Sequence, residues 1–137
     1  MLIYIAGPLF SIKDRAWIEA IDEELHEAIP DISVFKPYDE CEGLTGISIF
    51  NKCIEGINKS DVVIAIMDGS SVDDGTAFEC GYAYANAKNI FGIRTDFRNS
   101  GDTEGTTVNA MLGFSSRMYT DMRVMIEDIK ILSEKLA

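Results

Sequence analysis

The chain of 137 residues is 47% apolar and 26% charged, enough hydrocarbon for one packed domain and too little length for two. Acids outnumber bases 23 to 12, a formal charge of −11, which repels phosphate backbones and anionic lipid. Nucleic acid and membrane surfaces are therefore excluded as expected partners, whereas a small neutral ligand meets no such barrier.

No apolar run reaches the ~20 residues of a membrane helix, and no basic leader precedes an apolar segment at the N-terminus. Cys41, Cys53 and Cys80 are an odd set without CxxC spacing, which fits a reducing, cytoplasmic setting and neither a disulfide framework nor a zinc site. His26 is the only histidine and falls on the exposed stretch of a predicted helix, so a Ser-His-Asp triad is not expected. Acid–base work falls to carboxylates.

In chain order, Met1 to Ala6 is a short apolar run ended by Gly7-Pro8, the pattern of a buried strand meeting a turn. Trp17, Ile21, Leu25 and Ala28 then recur at helical spacing, and Pro30 stops that helix. Ser33 to Phe35 reads as a brief second strand, and Asp39 to Gly46 as loop. Ile47, Phe50, Ile54 and Ile57 mark a second amphipathic helix ending near Asn58. Val62 to Met67 is β-branched and uncharged, as in a parallel strand buried on both faces. Thr76 to Ala87 reads as a helix resting on the sheet through Phe78, Tyr82 and Ala85, and Ile90 to Ile93 as a fourth strand. Thr95 to Thr107 reads as a mobile loop, Met118-Tyr119 as a short strand, and Met122 to Leu136 as the last helix.

Strands and helices alternating at these lengths predict an α/β domain, single and doubly wound in the flavodoxin-like or Rossmann-like manner, with a parallel sheet of about five strands. Ligands in such sheets bind beyond the carboxyl ends of the strands. That directs attention to the loop Gly7 to Phe10, the loop Asp68 to Gly75, and the one after Ile93.

The segment from Asp73 to Ala83 holds the densest chemistry. Asp73 or Asp74 is placed to cap a helix, and Glu79 follows one turn later. Spacing alone is compatible with a capped helix bearing a surface glutamate. A carboxylate at this sheet edge, near other carboxylates, is also what a nucleophile or general acid at a glycosidic bond requires.

The residues Ile3-Tyr4-Ile5-Ala6-Gly7-Pro8-Leu9-Phe10, Ser60-Asp61-Val62-Val63-Ile64-Ala65, Asp73-x-Gly75-Thr76-x-x-Glu79-x-Gly81-Tyr82-Ala83, Arg94-Thr95-Asp96-Phe97-Arg98 and Val108-Asn109-Ala110-Met111 occur in one order along the chain. This series resembles the nucleoside 2-deoxyribosyltransferases. The resemblance implies that Glu79 is the nucleophile at C1′, that Tyr4 orients it, and that Asp73 meets the nucleobase and helps protonate it. It implies that Asn109 reaches into a neighbouring subunit's site, hence a homodimer or larger homo-oligomer.

By the same resemblance Gly7, Pro8, Phe10, Asp74, Gly75 and Met111 belong to the substrate site, with nucleoside and nucleobase as small-molecule partners. No cofactor or metal is expected. Read without it, Tyr4 is a core strand aromatic, Asn109 a helix cap, and Phe10 and Met111 core packing. One position departs from the family pattern: Cys53 stands where a second base-contacting aspartate is usual, leaving Asp73, with Asp74 or Asp39, to manage the departing base.

Two other functions fit parts of the sequence. A 2′-deoxynucleoside 5′-monophosphate N-glycosidase would need donors for a dianion, for which Ser11, Lys13, Arg15, Ser116 and Arg117 are available. A non-catalytic nucleoside or nucleotide sensor on the same scaffold is the third reading, since fold does not dictate function.

Overall fold

Alternate residues of a strand face opposite sides of a sheet, and here both sides are apolar. The computed structural model describes all 137 residues. Its elements are β1 (Leu2–Ala6), α1 (Ile12–Ala28), β2 (Ser33–Phe35), α2 (Pro37–Glu40), α3 (Ile47–Lys59), β3 (Val62–Ile66), α4 (Asp74–Ala85), β4 (Asn89–Ile93), α5 (Ala110–Ser115), β5 (Arg117–Tyr119) and α6 (Met122–Leu136). The five strands pair in the order β2-β1-β3-β4-β5, all parallel, so the doubly wound α/β domain expected from the sequence is the one observed. No helix is long and apolar enough to cross a membrane.

On one face Ile3, Ile5, Ile64, Ile66, Phe91 and Ile93 pack against Ile18, Ile21 and Leu25 of α1 and Met125, Ile126 and Ile129 of α6. On the other, Tyr4, Ala6, Val63, Ala65 and Met67 meet Ile57 of α3 and Cys80 and Ala83 of α4. Small residues cross this second face in register, Ala6 opposite Ala65 and Ala65 opposite Gly92. They lie beneath a helix whose buried side is also small: Thr76, Cys80 and Ala83. Small against small lets α4 lie close to the sheet, with its first turns beside the ends of β1 and β3. Gly92 is tightly enclosed on the sheet, since a Cβ there would come within 2.7 Å of the Met118 sulfur and 3.0 Å of Met67 Cε.

Four details differ from the sequence reading. The buried stripe of α4 is Thr76, Cys80 and Ala83, while Phe78 is 55% exposed and Ala85 also faces solvent. Helix geometry explains this: the sheet has room for small side chains only, so the aromatic is turned outward. Ile47 and Phe50 lie on the exposed first half of α3, and only Gly56 and Ile57 of that helix are buried. On α1 it is Ile18 that is fully buried beside Ile21 and Leu25, with Trp17 and Ala28 at the margin. The segment read as loop from Asp39 begins inside a helical turn, Pro37 to Glu40, started by proline at its first position.

Gly56 of α3 lies close against the sheet on the second face. An added Cβ would stand 2.8 Å from the Phe35 ring, and Phe35 stacks on Tyr4 with centroids 5.0 Å apart and planes 16° from parallel. Gly56→Ala therefore presses one ring onto the other, and overpacking of this kind costs ~1–3 kcal/mol. Chemical denaturation should show a loss of that size, and an unchanged midpoint would show that the ring stack yields freely.

Candidate active site

The first turn of α4 is held by Asp73, whose Oδ2 accepts from the Thr76 backbone N–H at 3.0 Å and from the Thr76 hydroxyl at 3.1 Å. This N-cap fixes where the helix begins. Glu79, further along α4, meets Tyr4 on β1: the tyrosine hydroxyl donates to Glu79 Oε2. Tyr4 itself is wholly buried.

Glu79, Asp73 and Gly75 line a cavity of about 640 Å³ with Gly7 and Phe10 from the loop after β1. Its apolar wall is Leu9, Phe10, Pro37, Tyr38 and Ile49, and Cys41 and Cys53 also face it. Asp39 and Glu42 bring its carboxylates to four, and no lysine, arginine or histidine lines it.

Burial pushes the Glu79 carboxyl up to about 7; the nearby Asp73 charge adds to the rise, and the Tyr4 hydrogen bond opposes it. Burial also pushes the Tyr4 hydroxyl far above the ordinary phenol range, reinforced by the Glu79 charge, so it remains a donor. Cys80, buried behind the glutamate, is pushed up to about 12 by burial and then by Glu79, which keeps it a neutral thiol. The arrangement is a carboxylate poised near neutrality, one oxygen occupied by a permanent donor and the other available. Such a group serves as a nucleophile or a proton carrier.

Of the residues singled out in the sequence, Glu79, Asp73, Gly7, Phe10 and Gly75 come together here, with Tyr4 beneath them. Pro8 lines a different cavity, of about 410 Å³, with Lys13, Trp17, Asp68 and the loop after β4. Asp74 is exposed at the start of α4, outside the Glu79 cavity. Asn109 caps α5, accepting from the Met111 backbone N–H at 2.9 Å and donating to Asp102 at 2.7 Å. Met111 is 81% exposed and lines a shallow groove with Gly81, Tyr84 and Phe114. Within one chain neither Asn109 nor Met111 reaches Glu79's cavity.

Cys53 is half-buried at the cavity wall. Tyr38, Cys41, Glu42 and Ile49 were not legible as site residues. Only Pro37, at a helix start, hinted that the segment before them is ordered.

The family follows from comparison with known proteins. The family model for nucleoside 2-deoxyribosyltransferase matches residues 3–111, and the chain belongs to that family.

Among solved structures, a 2-deoxyribosyltransferase from Leishmania mexicana superposes with a TM-score of 0.78 at 26% identity, covering 94% of this chain and 96% of that one. A 2-deoxyribosyltransferase from Bacillus psychrosaccharolyticus gives 0.75 at 20% identity, covering 95% and 90%. The CMP N-glycosidase BcmB of Clostridium botulinum gives 0.57 at 15%, covering 96% and 99%, a likeness of fold alone. No curated protein matches the sequence.

A carbon-13 titration of the Glu79 carboxyl should give a midpoint near 7. Tyr4→Phe removes the bond that favours the ionised form and should move the midpoint higher. Asp73→Asn removes the like charge and should move it lower. Shifts of opposite sign to these would show that the two neighbours do not act on Glu79 as described.

Proposed function

We propose that the protein is a nucleoside 2-deoxyribosyltransferase that cleaves the N-glycosidic bond of 2′-deoxynucleosides and passes the sugar to another nucleobase or to water. The observation that carries this is the partly buried, half-neutralised Glu79, fixed by Tyr4 at the edge of a cavity large enough for a nucleoside.

Glu79 Oε1, the oxygen not engaged by Tyr4, attacks C1′ while the bond from C1′ to the base nitrogen breaks. The electron pair of that bond leaves with the base, which takes up a proton through Asp73. The sugar remains as an ester on Glu79. A second base then attacks C1′, its nitrogen displaces the carboxylate, and its proton returns to Asp73. Water in place of the base yields free 2-deoxyribose. Two displacements at one carbon retain its configuration. The ester forms only from ionised Glu79, so the rate should rise with pH up to about 7.

The charge around the cavity supports a nucleoside over a 5′-monophosphate. All charges lining it are negative, and a phosphate dianion would be repelled. The candidate phosphate donors are held in other contacts or line other cavities, Arg15 against the back of this cavity's own wall. Ser11 is taken up by a capping box with Asp14. Arg15 donates to the Leu9 carbonyl at 3.0 Å and lies over the Tyr38 ring. Ser116 donates to the Leu112 carbonyl at 2.7 Å, and Lys13 and Arg117 line other cavities.

A second copy of the chain completes the proposal. Phe50 and Phe78 stand with ring centroids 6.0 Å apart on the outer face of α3 and α4, both about half exposed. Met111 and Phe114 extend that apolar surface onto α5 at more than four-fifths exposure. A surface of this kind is a docking face, and a homodimer or larger assembly built on it would bring Asn109 toward a neighbour's sugar.

Incubating the protein with a 2′-deoxynucleoside and a different free base should give exchanged nucleoside, and Glu79→Ala should reduce exchange by at least a thousandfold with the fold intact by circular dichroism. The 5′-monophosphate should turn over far more slowly than the nucleoside. Preference for the monophosphate would replace this reading with the glycosidase, and binding without turnover would replace it with the sensor.

A further inference from the structure

Two of the three cysteines meet at the wall of the Glu79 cavity, and the reaction above uses neither. Cys41 Sγ and Cys53 Sγ are 3.8 Å apart, both thiols are free, and both line the cavity. They come from elements that differ in freedom to move. Cys53 is on α3, whereas Cys41 closes the four-residue α2 and opens the turn-rich stretch Cys41 to Gly46. That stretch has left-handed glycines at Gly43 and Gly46 with open space around them. A disulfide bond is about 2.05 Å long, so closing the gap asks under ~2 Å of movement.

We propose that Cys41 and Cys53 are a reversible oxidation site, joined by a disulfide that closes the base end of the cavity. The predicted loss of turnover on closure rests on the proposed function; formation of the bond does not.

The oxidant is a peroxide. One thiolate attacks the O–O bond of hydrogen peroxide, giving a sulfenic acid and hydroxide, which leaves as water with the thiol's proton. The second thiol attacks that sulfur, the S–S bond forms, and the sulfenic oxygen departs as water. Two electrons pass from the thiol pair to one peroxide, and two waters result. Burial, and then Cys53 beside it, push the Cys41 thiol up to about 11, which lowers its thiolate fraction at neutral pH and makes the bond slow to form.

Closure changes the site in two ways. It draws the wall that carries Tyr38 and Glu42 toward α3 and Ile49, narrowing the apolar slot. It also consumes the Cys53 thiol, one of the groups that, after burial and Glu79, raise the Tyr4 hydroxyl. Cys80 is fully buried against the sheet and takes no part.

The test treats the full-length protein with hydrogen peroxide, alkylates remaining thiols under denaturing conditions, and maps peptides by mass spectrometry, with exchange measured in parallel. Expected are an intramolecular Cys41–Cys53 crosslink, Cys80 alone alkylated, and at least a tenfold fall in exchange that dithiothreitol reverses. Cys41→Ser and Cys53→Ser, each compared with its own untreated rate, should be insensitive to peroxide.

Three alkylated cysteines after treatment, a crosslink through Cys80 or between chains, or a crosslinked protein with an undiminished rate would each overturn the proposal. A reduced protein with no turnover at all would instead overturn the transferase reading, leaving the peptide map to judge the cysteine pair.

Discussion

A partly buried hydrogen bond between a tyrosine on the first strand and a glutamate on the fourth helix is the constraint on which this molecule turns. Neither partner is useful alone. Glu79 without Tyr4 is a partly buried carboxyl whose charge is opposed by desolvation and by Asp73. Tyr4 without Glu79 is a core phenol lacking its acceptor, a costly state for a buried hydroxyl. The fold supplies the meeting point: small residues on both the sheet and α4 bring the helix down, Asp73 sets where it starts, and the Phe35 ring under Gly56 holds the Tyr4 ring in plane.

Electrostatics give the site its character. Four carboxylates line one cavity in a chain of net charge −11; in the proposed reaction they would favour a neutral ligand and the cationic character developing at C1′. Burial first, and then the nearby Asp73 charge, raises Glu79 to about 7. In the proposed reaction such a carboxylate is ionised enough to attack at neutral pH and weakly basic enough to leave in the second displacement.

How much of this was legible in the sequence depended on range. The strands were readable because β-branched runs such as Val62 to Met67 occur where a strand is buried on both faces, and the observed β3 spans Val62–Ile66. Helix ends were readable from Asp73 and Pro30, whose effects act within a few residues. Side-chain facing on α4 was not, because the sheet beneath it is lined by Ala6, Ala65 and Gly92 and rewards small residues over Phe78. Glu79 and Asp73 could be singled out by motif. Their meeting with Tyr4, 75 positions away from Glu79, is a product of topology. The cavity's far wall, Tyr38, Cys41, Glu42 and Ile49, carried no local signature, and the closeness of Cys41 to Cys53 arises only when α2 folds back beside α3.

The central claim is that Glu79 carries the sugar covalently. Acid quenching of the protein during turnover of a 2′-deoxynucleoside, followed by peptide mass mapping, reads this directly. The account predicts a deoxyribosyl ester on the peptide containing Glu79, lost on adding a free base before the quench. Turnover at full rate with the adduct on another residue, or with inverted configuration at C1′, would contradict it.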